Sequence, residues 1–265
     1  AWYPGIRGGA AIARVLSGKV DPSGHTPISF PASNAQLAHA DIPGFDQPGD
    51  TPVHITYDEG AAIGYKWYDV KGYTPLFAFG HGLSYTTFAA SDARAEVSDD
   101  AITVTASLAN TGQRPGKGVL MAFVAPADWK AAGWEAPKRL AGFAKADLTP
   151  GARQTFTFRI DPRLLATWEA ADDSWRIKAG TYRILLGQAS DDLPLSLDVP
   201  LSGVASGPVE FRLYAYAAAN GYETAEIGHI TNGPGLIING AAAVPEPASL
   251  SLLALGGLAL LRRRR

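Results

Sequence analysis

Apolar and polar residues alternate from Ala101 to Leu108, Ala-Ile-Thr-Val-Thr-Ala-Ser-Leu, and the run ends at Asn110-Thr-Gly112. Successive side chains of a strand point to opposite faces, so this period of two predicts a half-buried β-strand closed by a turn. Val119 to Val124, Gln154 to Ile160, Thr181 to Leu186 and Leu195 to Val199 repeat the form, with turn residues between them. Short strands at roughly 8–12-residue spacing over about 110 residues predict two packed antiparallel sheets across residues 89–203.

That strand count and spacing suit a mainly β fold, a β-sandwich of fibronectin type III or immunoglobulin-like kind. Pro162 to Glu169 reads as one short helical turn in the connection between two strands. Upstream the pattern changes. Ala10 to Ser17 is almost wholly apolar and suits a buried helix, with Gly18 placed to stop it. Pro27-Ile-Ser-Phe30 follows as a short strand-like run ended by Pro31. Residues 32–88 form an aromatic and glycine-rich connector, in which Tyr57, Tyr65, Trp67, Tyr68, Tyr73, Phe77 and Phe79 predict anchoring of the loop by its rings on a neighbouring surface.

Downstream, residues 204–243 hold one alternating run, Val209 to Tyr216, and then a glycine- and asparagine-rich stretch too short to bury a core of its own. Residues 244–265 differ from everything before them. Pro245-Glu246-Pro247 precedes an apolar run from Ala248 to Leu261 and then Arg262, Arg263, Arg264 and Arg265. Fourteen helical residues reach roughly 21 Å, short of the roughly 30 Å hydrocarbon core, so a short apolar helix and only transient membrane contact are expected.

Composition narrows the chemistry. Twenty-three Lys and Arg against 25 Asp and Glu give a net charge of -2, which offers no field for nucleic acid. With no cysteine there is no disulfide, thiolate metal site or thiol nucleophile. His25, His39, His54, His81 and His229 never fall three or four residues apart, so neither a metal nor a cofactor is expected. The chain opens on Ala1, its one methionine is Met121, and it lacks a basic-then-apolar leader, so it reads as an incomplete translation product.

Two resemblances sharpen the picture. The order Pro-Glu-Pro, apolar run, arginine cluster resembles the PEP-CTERM sorting signal, which implies export to the cell envelope or beyond and processing by an exosortase-type enzyme, with the arginines held on the cytoplasmic side. Separately, Ala1-Trp-Tyr-Pro-Gly5, Gly8-Gly9 and Pro22-Ser-Gly24-His-Thr-Pro27 resemble the end of the α/β sandwich domain of family 3 glycoside hydrolases, the group of β-glucosidases and β-xylosidases. Tyr57-Asp-Glu-Gly60, Gly64-Tyr65-Lys-Trp67 and Pro75-Leu-Phe77-Ala-Phe79-Gly-His-Gly-Leu-Ser-Tyr85 resemble the connector of that family. Asn110-Thr-Gly112, Leu140-Ala-Gly-Phe143, Leu148-Thr-Pro-Gly151 and Gly180-Thr-Tyr182 resemble its fibronectin type III-like domain. The resemblance therefore implies a partial α/β segment over residues 1–31, whose apolar faces would be uncovered in this chain alone.

The same resemblance places the family's aspartate nucleophile on an N-terminal barrel and its glutamate acid/base upstream of the Trp-Tyr-Pro-Gly segment. No catalytic residue is then expected here, and the chain reads as the non-catalytic C-terminal portion of an exported β-glycosidase acting on a β-linked oligosaccharide or glucoside. The acidic neighbours Asp58-Glu59, Asp99-Asp100, Asp172-Asp173 and Asp191-Asp192 do not suit a facing pair, because adjacent residues of a strand point apart. The alternative is a carbohydrate-binding or surface-anchored sandwich module. Its substrate-proximal candidates are His81, between two glycines of the aromatic loop, and Trp129 and Trp134, with Trp168 and Trp175 further possible stacking residues. For His81 the competing expectation is a hydrogen bond to the sandwich edge.

Overall fold

A computed structural model describes residues 4–41, 44–46, 49, 53–98, 101–171 and 174–201. Asp99-Asp100, Asp172-Asp173, His229, the alternating run Val209 to Tyr216, the linking region 204–243 and the Pro245–Arg265 tail, with its expected apolar helix, lie outside the described residues.

The sandwich has a three-stranded sheet and a four-stranded one. Strands β1 (Phe88–Ser98), β2 (Ala101–Asn110) and β5 (Arg153–Ile160) form the first in the order β1-β2-β5. Strands β3 (Gly116–Pro126), β4 (Arg139–Leu148), β8 (Gly180–Gly187) and β9 (Leu195–Leu201) form the second in the order β4-β3-β8-β9. A two-stranded hairpin of β6 (Thr167–Glu169) and β7 (Ser174–Arg176) stands apart from both. This is the fibronectin type III-like arrangement that the alternation predicts.

Period two does the core's work. Ile102, Val104 and Leu108 of β2, Phe156, Phe158 and Ile160 of β5, and Ile184 and Leu186 of β8 all point into one buried cluster. Burying each such side chain contributes about 1.5–3 kcal/mol. Tyr182 sits in the same core, and its hydroxyl donates to Lys178 O at 2.8 Å. Strand β3 departs from simple alternation, since its residues Gly118 to Ala125 are buried on both faces. Leu120, Ala122 and Val124 face the sandwich interior, while Val119, Met121 and Phe123 form a second cluster with Tyr65 and Phe79 of the connector.

The connector is thus more ordered than its loop-like sequence suggests. Residues Tyr65–Lys71 form helix α2. The Tyr65 ring stacks on Phe79 at 5.3 Å and meets Phe123 edge-on at 5.5 Å. Gly80 allows the close approach, since its φ is +87° and an added Cβ would lie 2.8 Å from the Met121 methyl.

Three expectations change upstream and at the hairpin. Helix α1 spans Gly8–Leu16, and Gly18 follows it at φ +71° as a stop, but the helix is exposed rather than buried. Ile12 is 45% and Leu16 77% exposed, because no described layer lies against that face. Pro27–Phe30 is not a strand; it contributes one isolated bridge, Phe30 with Phe77, and His25 just before it forms another with Gly82. Proline at both ends removes the donors a longer ladder needs. Residues 162–169 divide into a 3-10 turn, Pro162–Leu165, with Asp161 accepting from the Arg163 N–H, and then β6.

Candidate functional site

Two places gather chemistry: the junction of the connector with the sandwich, and a cleft beside it. At the junction, α2 turns Lys66 and Asp69 toward the sandwich. Lys66 Nζ lies 2.5 Å from Glu135 Oε1, and Lys138 Nζ lies 2.6 Å from both Asp69 oxygens. Glu135 also takes both Nε and Nη2 of Arg139. Arg139 in turn donates through Nη1 to Leu164 O and Ala166 O, and its guanidinium lies 4.0 Å from the Trp134 ring centre. Tyr65 completes the lock by accepting the Leu140 N–H at 2.8 Å.

The titration behaviour follows from this wiring. Burial alone would raise the Glu135 carboxyl, but hydrogen bonds from Arg139 and Lys66 outweigh it and bring the group from 4.5 down to about 2. Burial raises Asp69, and the Lys138 pairing offsets only part of that. Burial pushes the Tyr65 phenol up to about 12 despite the bond from Leu140. A carboxyl held near 2 stays ionised and pinned, so Glu135 is unsuited to proton donation at neutral pH.

Glu135→Gln is accordingly expected to cost about 3 kcal/mol at pH 7, since a depressed carboxyl stabilises the fold above its unfolded value. That contribution is lost as pH falls from about 4.5 through about 2. Denaturant titrations of both chains at pH 7, 4 and 2.5 check this: the gap should narrow steadily, and an equal gap at all three would contradict it.

The adjoining cleft has a volume of about 530 Å³ and lies between Lys66, Trp134, Glu135, Arg163, Trp168 and Trp175. Trp168 and Trp175 are directly paired across β6 and β7, with ring centres 5.6 Å apart at 64°. Trp168 is 49% exposed. Nothing in the local alternation announces this pair, because the two tryptophans meet only when the hairpin closes.

The other candidates from the sequence scatter. Trp134 is 4% exposed and part of the core, so it is a packing residue and not an open sugar platform. Trp129 is half-buried against the same core, with Lys130 Nζ 5.4 Å from its ring. His81 packs against Phe77 with the rings tilted at 36° and 5.0 Å apart, and it lines a separate cleft of about 300 Å³ with His25, Gln188 and Asp192. The neighbouring His25 makes a side-chain contact within the connector, its Nδ1 lying 2.6 Å from Gly80 O. His81 bonds through its backbone, its carbonyl accepting from the Thr26 N–H. Asp58, Asp191 and Asp192 are exposed, and Glu59 is paired with His39 at 3.1 Å. Among the described residues no group of three or more His, Asp or Glu is placed to hold a metal ion, and no helix is long and apolar enough to cross a membrane.

Segment 4–85 is tied to the sandwich and leaves several large apolar side chains exposed. Arg114 donates to Gly18 O and Lys145 Nζ to Ser23 O at 2.5 Å, while within the segment Tyr85 Oη donates to Val15 O at 2.8 Å and Asp21 accepts from the Tyr85 N–H at 2.7 Å. Ile6, Leu16, Ile63, Leu76 and Leu83 of the same segment are exposed.

Comparison with known proteins follows the same division. Residues 1–85 match the pattern described as the glycosyl hydrolase family 3 C-terminal domain, residues 119–190 a fibronectin type III-like domain, and residues 243–265 the PEP-CTERM protein-sorting motif. The chain is 37% identical over 204 residues to thermostable β-glucosidase B of Acetivibrio thermocellus, covering 75% of this chain and 26% of that protein. It is also 37% identical over 205 residues to a β-glucosidase of Rhizobium radiobacter, covering 76% and 24%. Among solved structures, the β-glucosidase DesR of Streptomyces venezuelae, in complex with D-glucose, aligns with a TM-score of 0.65 at 36% identity, covering 76% of this chain and 26% of that one. β-Glucosidase 3B of Thermotoga neapolitana aligns at 0.65 and 31% identity, covering 73% and 26%. The chain spans about a quarter of the length of the curated relatives it matches.

Proposed function

Residues 1–85 and 119–190 belong to the C-terminal part of a family 3 glycoside hydrolase, and from that premise we propose that this chain is the non-catalytic end of an exported β-glucosidase. Its task is structural. Segment 1–31 supplies the last helix of an α/β domain, residues 32–88 join it to the sandwich at 89–203, and residues 204–243 lead to a sorting tail at 244–265. The complete enzyme hydrolyses a β-linked glucoside or oligosaccharide with carboxylates held outside this chain. An exosortase-type enzyme processes the tail after transient membrane contact, with the arginines on the cytoplasmic side.

The observation that carries this reading is the contrast within one rigidly tied piece. The sandwich is buried on both sides of β3, whereas α1 and residues 55–83 present Leu16, Ile63, Leu76 and Leu83 uncovered. An apolar face of that kind marks a surface built to be covered. The test is a chimaera in which residues 1–201 replace the aligned quarter of the Acetivibrio thermocellus enzyme. A soluble product that hydrolyses p-nitrophenyl β-glucoside at a rate comparable to the parent is expected. A soluble but inactive chimaera, or one that aggregates, would overturn the proposal.

A further inference from the structure

We propose that the cleft beside the β6–β7 hairpin is a stacking subsite for a β-linked glucan chain, with Trp168 as its platform. The choice of sugar rests on the β-glucoside reading above; the existence of the platform does not. A hairpin of two three-residue strands is marginal by itself, and an indole left half in water adds little to its stability. Trp175, half-buried and paired across from Trp168 at 5.6 Å, braces that indole from one side. Trp168 lines a cleft of about 530 Å³, within the roughly 300–1,000 Å³ range of small-ligand sites.

The cleft lining is mostly apolar, with charged side chains held in fixed pairs among it. Arg139 is fixed by Glu135 and two backbone carbonyls and lies over the buried Trp134 ring, and Lys66 reaches the same carboxylate. Arg163 stands at the rim, with its guanidinium on Asp161. That combination fits a β-linked glucopyranose. Its hydroxyls are all equatorial, so both ring faces present C–H groups to an indole while the hydroxyl edge meets charged partners. Successive β-1,4-linked rings also stay in an extended ribbon, whereas α-1,4-linked ones curl away from a flat platform.

The test uses the chain 1–265 with cellohexaose and maltohexaose as probes in calorimetric titrations. Binding of cellohexaose over maltohexaose is expected, weakened at least about tenfold in Trp168→Ala and unchanged in Phe143→Ala, whose ring is exposed on β4 away from the cleft. Thermal melting verifies that each variant is folded. Should the alanine variant fail to fold, N-bromosuccinimide oxidation of the wild-type chain decides the matter: cellohexaose, and not maltohexaose, is expected to protect the Trp168 indole. Absence of cellohexaose binding, equal binding of both sugars, or full binding by folded Trp168→Ala would overturn the subsite. Each of those results leaves the chimaera assay free to succeed or fail independently.

Discussion

Asn110→Ala is expected to lower the stability of the sandwich by about 4 kcal/mol, because four hydrogen bonds at a buried corner converge on one side chain. Asn110 is 1% exposed. Its Oδ1 accepts from Thr86 Oγ1 at 2.6 Å and from the Gly112 N–H at 3.0 Å. Its Nδ2 donates to Arg114 O and Leu148 O, each at 2.8 Å. The last of these crosses from β2 in one sheet to the end of β4 in the other, and Thr86 adds the end of the connector. Removing the amide strands two carbonyls and two donors, each unsatisfied group costing about 1–3 kcal/mol when dry. Against a typical total of about 5–15 kcal/mol, the loss should bring the melting temperature down by roughly 15–25 °C. Asn110→Asp keeps the acceptor but sets a carboxylate against two carbonyl oxygens, so it should be no better. Differential scanning calorimetry of the three chains checks this, and a loss below about 1 kcal/mol for alanine would mean that water replaces the amide.

The sequence shows Asn110-Thr-Gly112 as a turn but cannot show it as a corner shared by two sheets. That limit recurs. Strands β2, β5, β8 and β9 are legible because Ile, Val, Leu and Phe alternate with Thr, Arg and Ser. Strands β1 and β4 are not: Phe88–Ser98 is mostly Ala, Ser, Asp and Arg, and a register shift between Ser91 and Arg94, with Asp92 at φ 54°, breaks its period. In Arg139–Leu148 the shift opposite Ala122 and Phe123 does the same. Helix α2 is hidden because Tyr, Trp and Val are weak helix formers, and tertiary contacts to Phe123, Glu135 and Lys138 hold it instead.

The sites divide along the same line. Tryptophans near the sandwich loops are visible in the sequence, yet which of them is core and which is surface depends on contacts between segments far apart. Trp134 packs against Tyr182, nearly fifty residues away, and Trp168 meets Trp175 only across the hairpin. The charged junction was equally hidden, since Lys66–Glu135 and Asp69–Lys138 each link positions 69 residues apart.

Catalysis poses the sharpest question. A retaining glycosidase needs two carboxyl groups about 5–5.5 Å apart across a substrate, one free to attack and one able to donate a proton. Among the described residues, Glu135 and Asp69 are the acids most displaced in opposite directions, which in another setting would suggest an acid and its partner. Their wiring speaks against it. Lys138 occupies both oxygens of Asp69, which does not line the cleft, and Glu135 is held by Arg139 and Lys66.

The most direct measurement is release of p-nitrophenol from p-nitrophenyl β-glucoside by purified residues 1–265, alongside Glu135→Gln and Asp69→Asn. All three are expected to match the buffer rate, because neither carboxyl is free to act. Turnover by the unaltered chain that disappears with either single substitution would contradict the account.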